Sequence, residues 1–123
     1  MAEERDLNKR PPVPGADPDG AGSAEIEEWR TRIDAIDSQL MSLLNRRSAC
    51  AVEIGHIKRT LGLPVYSPER EAWILDRVAR ENPGPLDATA VRRVFERIID
   101  ESRRLERIAS DAEARGAPKQ RED

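Results

Sequence analysis

Residues 26–61 read IEEWRTRIDAIDSQLMSLLNRRSACAVEIGHIKRTL. Apolar side chains recur at Ile26, Trp29, Ile33, Ile36, Leu40 and Leu43, then at Cys50, Ile54, Ile57 and Leu61. The steps alternate between three and four residues, the period of an α-helix with one long apolar seam. Arg47 occupies the seam position between Leu43 and Cys50. A guanidinium keeps its proton, and burying it without a partner is costly. The seam therefore demands an anion at Arg47, either a carboxylate of the protein or an anionic ligand.

A helix from about Ser23 or Glu25 to Leu61 is over ~50 Å long at ~1.5 Å per residue. A domain of 123 residues cannot cover that length alone, so the seam must meet a second chain or a folded-back helix. Gly62, Leu63 and Pro64 end the helix. The spacing predicts a second helix with Ser67 as N-cap and Pro68 at the first helical position. Glu69 and Glu71 then lie at the positive end of its dipole. Ile74, Leu75 and Val78 point inward, and Asn82-Pro83-Gly84-Pro85 stops the helix. A third helix starts at Asp87, with Leu86 and Val91 placed as a hydrophobic staple. Its stripe is Val91, Phe95, Ile98, Ser102, Leu105 and Ala109.

The predicted fold is all-α: a three-helix chain with one very long N-terminal helix, assembled as an intertwined helical homodimer in which the long helices pair. Residues 1–23, rich in Pro, Gly, Asp and Ala, are expected to form a disordered tail. Residues 24–115 form the single domain, and 116–123 a polar, frayed end.

Composition narrows the function. Charged residues at 37 % against 3 % aromatics suit a helical protein with a thin core. A net charge of -3, with Arg and Glu interspersed, argues against nucleic acid as a partner. One cysteine and one histidine exclude an intramolecular disulfide and make a zinc site improbable, so no metal or cofactor is expected. The opening MAEERDLNKRPP has no apolar core of a leader, and no run is long enough to cross a bilayer. A cytoplasmic location is the expectation.

The candidate chemistry lies around Arg47. Lys58, eleven residues on, falls about 20° from it around the helix and about 16 Å along the axis. Ala51 and Ile54 lie between them, which leaves room for a small dianion held from both ends. Arg30, seventeen residues before Arg47, is about 100° away around the helix. It therefore suits the partner chain's pocket in a symmetric dimer. The second helix offers Arg70 and Glu71 at its N-terminus, and the third offers Ser102 and Glu106. No Ser/His/Asp set and no phosphate loop accompanies them. The implied chemistry is electrostatic stabilisation of an anion, not covalent catalysis.

Taken singly, each residue has a plainer reading. Arg47 can snorkel from a coiled-coil seam, and Lys58 can lie on a solvated face. Arg70 and Glu71 can be surface helix charges, and Glu106 sits in a charged stretch with Arg103, Arg104 and Arg107. Trp29 reads as core or interface, His56 as solvent-facing and Cys50 as a small core residue. Only as a set do the polar residues point to an anion site.

The set has a familiar order. IEEWRTRIDAIDSQLMSLLNRR (26–47), AVEIGHIK (51–58), PVYSPERE (64–71) and IIDESRRLE (98–106) resemble the all-helical chorismate mutases over roughly residues 25–108. The resemblance implies an intertwined dimer with two equivalent sites that convert chorismate to prephenate, toward phenylalanine and tyrosine. It implies that Arg47 and the partner chain's Arg30 hold the substrate carboxylates. Lys58 and Glu106 would act on the breaking ether bond, Arg70 would add a cation, Glu71 would bind the ring hydroxyl and Ser102 would support the ring carboxylate. Ser67, where some relatives carry Asp, would keep its N-cap role and line the substrate site. Many carry Gln where this chain has Glu106; a carboxyl there donates to the ether oxygen only when protonated.

Three alternatives stay open at this point. The same cations suit an isochorismate pyruvate lyase or a 4-amino-4-deoxychorismate mutase, and a helical dimer can also be a non-catalytic regulatory module. Activation by the first-step synthase of the aromatic pathway, docking on the charged C-terminal stretch, is a further expected partnership.

Overall fold

The computed structural model describes residues 9–12, 14, 15 and 21–116. They form three helices, α1 (Ala21–Leu61), α2 (Pro68–Glu81) and α3 (Ala88–Ala114), with no strand among the described residues. No helix among them is long and apolar enough to cross a membrane. The chain divides into two units, Met1–Met41 and Ser42–Asp123.

In the first unit α1 starts at Ala21, inside the stretch predicted as a tail. Residues 1–8, 13 and 16–20 of that predicted tail, and most of the predicted frayed end, lie outside the described residues. Arg10 is fastened to one face of α1: its Nη1 donates to Asp34 at 2.6 Å, Nε to Glu27 at 3.1 Å and Nη2 to the Thr31 hydroxyl at 3.1 Å. The carboxylates hold Arg10 protonated above its ordinary range, with the Asp34 hydrogen bond as the largest cause. The seam residues Ile26, Trp29, Ile33, Ile36 and Leu40 are 41–59 % exposed. The seam read as buried is thus open in the chain by itself. Trp29, read as core or interface, carries the Arg32 guanidinium 4.3 Å from its ring centre.

The second unit holds the remainder of α1 with α2 and α3. Gly62, at φ +73°, closes α1. Its N–H donates to Arg59 O at 3.2 Å and that of Leu63 to Lys58 O at 2.7 Å, the paired hydrogen bonds of a Schellman motif. Ser67 caps α2 by accepting from the Arg70 N–H, with Pro68 following it, as the sequence predicts. Asn82 ends α2, and its side chain binds the turn through the Gly84 N–H and the Leu86 carbonyl. Asp87 caps α3 by accepting from the Ala90 N–H at 2.7 Å.

α2 and α3 pack on each other, with Ile74, Leu75, Val78, Val91, Phe95 and Ile98 half-buried. Ile99 and Ser102 are buried on α3. α1 meets α3 differently, through long polar side chains: Arg47 reaches Ser102, while His56 and Arg59 both reach Glu113. His56 is exposed, as read. Cys50 departs from its reading as a core residue: it is exposed and lines a cavity, because α3 does not close onto α1 at that level.

Candidate active site

A cavity of about 510 Å³ opens in the second unit. α1 lines it with Arg47, Cys50, Ala51, Ile54, Lys58 and Arg59, one helical face at steps of three and four. The α1–α2 loop adds Val65, Tyr66 and Ser67, and the first turns of α2 add Arg70, Glu71 and Ile74. α3 contributes Ile99, Ser102, Arg103, Glu106, Arg107 and Ser110, again a single face.

Seven of the eight residues singled out in the sequence therefore come together. Arg47 donates to the Ser102 hydroxyl at 3.4 Å, and Lys58 to the Val65 carbonyl at 3.4 Å. The Arg70 guanidinium lies 4.9 Å from the Trp73 ring centre. Ser67 lines the cavity while its hydroxyl is engaged as the helix cap. The eighth, Arg30, belongs to the first unit and does not line the cavity; it donates to Glu27 at 3.1 Å and to the Pro11 carbonyl at 3.0 Å.

Gly55 brings the third helix to the first at this level. A Cβ there would lie 3.4 Å from Arg59 Nη1 and 3.6 Å from Glu106 Cγ. Burial pushes the Glu106 carboxyl above its ordinary range. Lys58, Arg59 and Arg103 pull it back, and Glu71 adds to the rise.

Three cations of the cavity wall, Arg59, Arg103 and Arg107, were not expected there. Arg103 and Arg107 were read within a charged surface face, yet only Arg104 of that trio stays outside the cavity, 65 % exposed beside Glu101. The signal that finds them is the positional series 99, 102, 103, 106, 107 and 110, which places them beside Ser102 and Glu106 on α3. Six cationic side chains thus face two carboxylates, Glu71 and Glu106. Glu71 is taken by Arg103, at 2.6 and 2.7 Å. Among the described residues no carboxylate lies at ion-pair distance from Arg47, Lys58, Arg70 or Arg107. Unmatched cations around a largely apolar pocket are a site for an anion with more than one negative group.

Comparison with known proteins agrees with that chemistry. The family described as chorismate mutase type II matches residues 29–107. The chain is 40 % identical over 91 residues to the bifunctional chorismate mutase/prephenate dehydratase of Pseudomonas aeruginosa, covering 70 % of this chain and 25 % of that protein. It thus spans about a quarter of that relative's length. The 4-amino-4-deoxychorismate mutase of Streptomyces venezuelae is 30 % identical over 91 residues, 73 % of this chain and 88 % of its own length. The crystal structure of chorismate mutase from Helicobacter pylori in complex with prephenate superposes with a TM-score of 0.66 at 30 % identity, over 72 % of this chain and 96 % of that one. The match runs through every helix that lines the cavity, and the chain belongs to the chorismate mutase type II family.

Proposed function

We propose that this chain rearranges chorismate to prephenate, working as a homodimer with two equivalent sites. One observation carries the reading: four cations with no carboxylate at ion-pair distance among the described residues, Arg47, Lys58, Arg70 and Arg107, line one cavity sized for a small dianion. The prephenate held by the H. pylori relative is such a dianion.

The reaction is pericyclic and asks for no nucleophile. It asks that an extended dianion be folded into a compact conformer and that charge growing on the ether oxygen be met by fixed donors. Arg47, with Arg30 of the partner subunit, holds the two carboxylates; Ser102, already hydrogen-bonded to Arg47, supports the ring carboxylate. Arg70 adds positive potential at the N-terminus of α2. Glu71 accepts from the ring hydroxyl. Lys58 and Glu106 face the ether oxygen, where one well-aimed donor contributes about 3 kcal/mol. The exposed seam of α1 supports this division of labour, since a second copy would cover it and bring its own Arg30.

Glu106 gives the reading a pH signature. Its carboxyl donates only when protonated, and burial raises its pKa. The donor form is present below that raised pKa and is lost as pH climbs through it. The expected result is a rate that falls on the alkaline side of the ordinary carboxylate range, with a flat profile over the same span in Glu106→Gln, whose amide donates at every pH. Identical profiles in the two proteins would refute this role.

Incubation of the purified protein with chorismate and, separately, with isochorismate tests the whole reading. Prephenate from chorismate supports it. Pyruvate from isochorismate with chorismate untouched would move the chain to the lyase alternative, and silence with both would favour an amino-substituted substrate, a missing activating partner or a regulatory dimer.

A further inference from the structure

Arg103 stands one residue beyond Ser102 on α3 and is the only cation of the cavity that grips a cavity carboxylate at ion-pair distance among the described residues. One of its terminal nitrogens donates to both oxygens of Glu71, at 2.6 and 2.7 Å. Its guanidinium also lies 5.0 Å from the centre of the Tyr66 ring. Its other terminal nitrogen is 3.8 Å from Asp100, and its Nε is buried without a hydrogen-bond partner. One side chain thereby joins the loop before α2, the first turn of α2 and α3.

The arrangement has an electrostatic consequence for whatever Glu71 meets. An ionised carboxylate offers about four lone-pair sites. Arg103 engages both oxygens from one side, which leaves each oxygen further capacity to accept. The charge of Glu71, however, is already matched by a guanidinium in contact with it. A neutral O–H donor loses little by this. An ammonium group loses most of the attraction of the carboxylate and meets a cation at short range.

We propose that Arg103 is a positioning and specificity-determining residue: it fixes Glu71 as an acceptor for a ring hydroxyl and disfavours substrates with a protonated ring amine at that position. The inference rests on the mutase reading above and deepens it. Chorismate and 4-amino-4-deoxychorismate differ by that one group, a hydroxyl against an amine on a saturated ring carbon, which carries a proton at neutral pH. The side chains that would hold the carboxylates are indifferent to the exchange, so the discrimination falls to the pair Glu71–Arg103.

The test compares both substrates with the unmodified protein, Arg103→Gln and Arg103→Lys. Gln keeps a hydrogen-bond donor for Glu71 and removes the charge; Lys keeps the charge. The unmodified protein is expected to favour chorismate in kcat/KM. Arg103→Gln should shrink that preference at least tenfold, mainly through a lower KM for the amino substrate, while Arg103→Lys keeps it within about threefold of the original. Equal fractional losses on both substrates in Arg103→Gln would assign Arg103 a purely structural role and overturn the inference, as would a preference lost equally in Gln and Lys. Turnover of neither substrate by the unmodified protein would overturn the mutase reading itself and this inference with it, a result distinct from the other two.

Discussion

Replacing Arg47 with alanine is expected to lower kcat/KM for chorismate by about 10²- to 10³-fold without lowering the thermal midpoint of the protein. The loss follows from removing a charge-assisted contact to a carboxylate inside a half-buried site, where such contacts are worth about 2.7–4 kcal/mol. Because the carboxylate is bound before and during the rearrangement, much of the loss should appear as a raised KM. The unchanged midpoint follows from what Arg47 touches: a serine hydroxyl at 3.4 Å and no carboxylate. A half-buried cation so poorly compensated costs the fold something, and alanine removes the cost. Arg47→Lys should regain only part of the activity, since an ammonium lacks the planar fork that pairs with a carboxylate. A midpoint several degrees lower with turnover intact would show instead that Arg47 serves the fold.

Leu40→Asp is expected to abolish measurable turnover and to yield monomer, or unfolded chain, in sedimentation at concentrations where the unmodified protein is expected to sediment as a dimer. Leu40 lies on the open seam at 49 % exposure in the chain by itself. In the proposed dimer, covering its exposed half contributes about 1 kcal/mol per chain. An aspartate there adds an uncompensated charge on both copies at once, and two-fold symmetry doubles the penalty. The separated chain keeps Arg47 and Lys58 but loses the partner's Arg30, so activity goes with assembly. Leu40→Met, of similar volume, should retain both dimer and rate. A fully active monomer of the aspartate variant would defeat the shared site.

Much of this molecule was legible in its sequence because the deciding signals are local. The alternating steps of three and four from Ile26 to Leu61 define α1, Ser67-Pro68 opens α2 and Asp87 opens α3, each through hydrogen bonds within a few residues. Of the seven expected residues that line the cavity, Arg47 and Ser102 stand out at seam positions and Ser67 at a cap, whereas Lys58, Arg70, Glu71 and Glu106 came from helical spacing and from the resemblance. Arg59, Arg103 and Arg107 were not found, because each lies among charged neighbours on a polar face, and only the packing of α3 across from α1 decides which charges turn inward. The pairing of Arg103 with Glu71 spans 32 residues and leaves no local trace. Cys50 was misread for the mirror-image reason: its seam position implies burial, whereas the cavity holds the helices apart there.

The most direct test of the account is a calorimetric titration of prephenate into the purified protein, with Arg47→Ala as the paired sample. The cavity and its unmatched cations predict saturable binding of one prephenate per chain that weakens as salt is raised and is lost, or at least a hundredfold weaker, in Arg47→Ala. No binding, or binding that Arg47→Ala leaves undiminished, would contradict the assignment of this cavity as the substrate site.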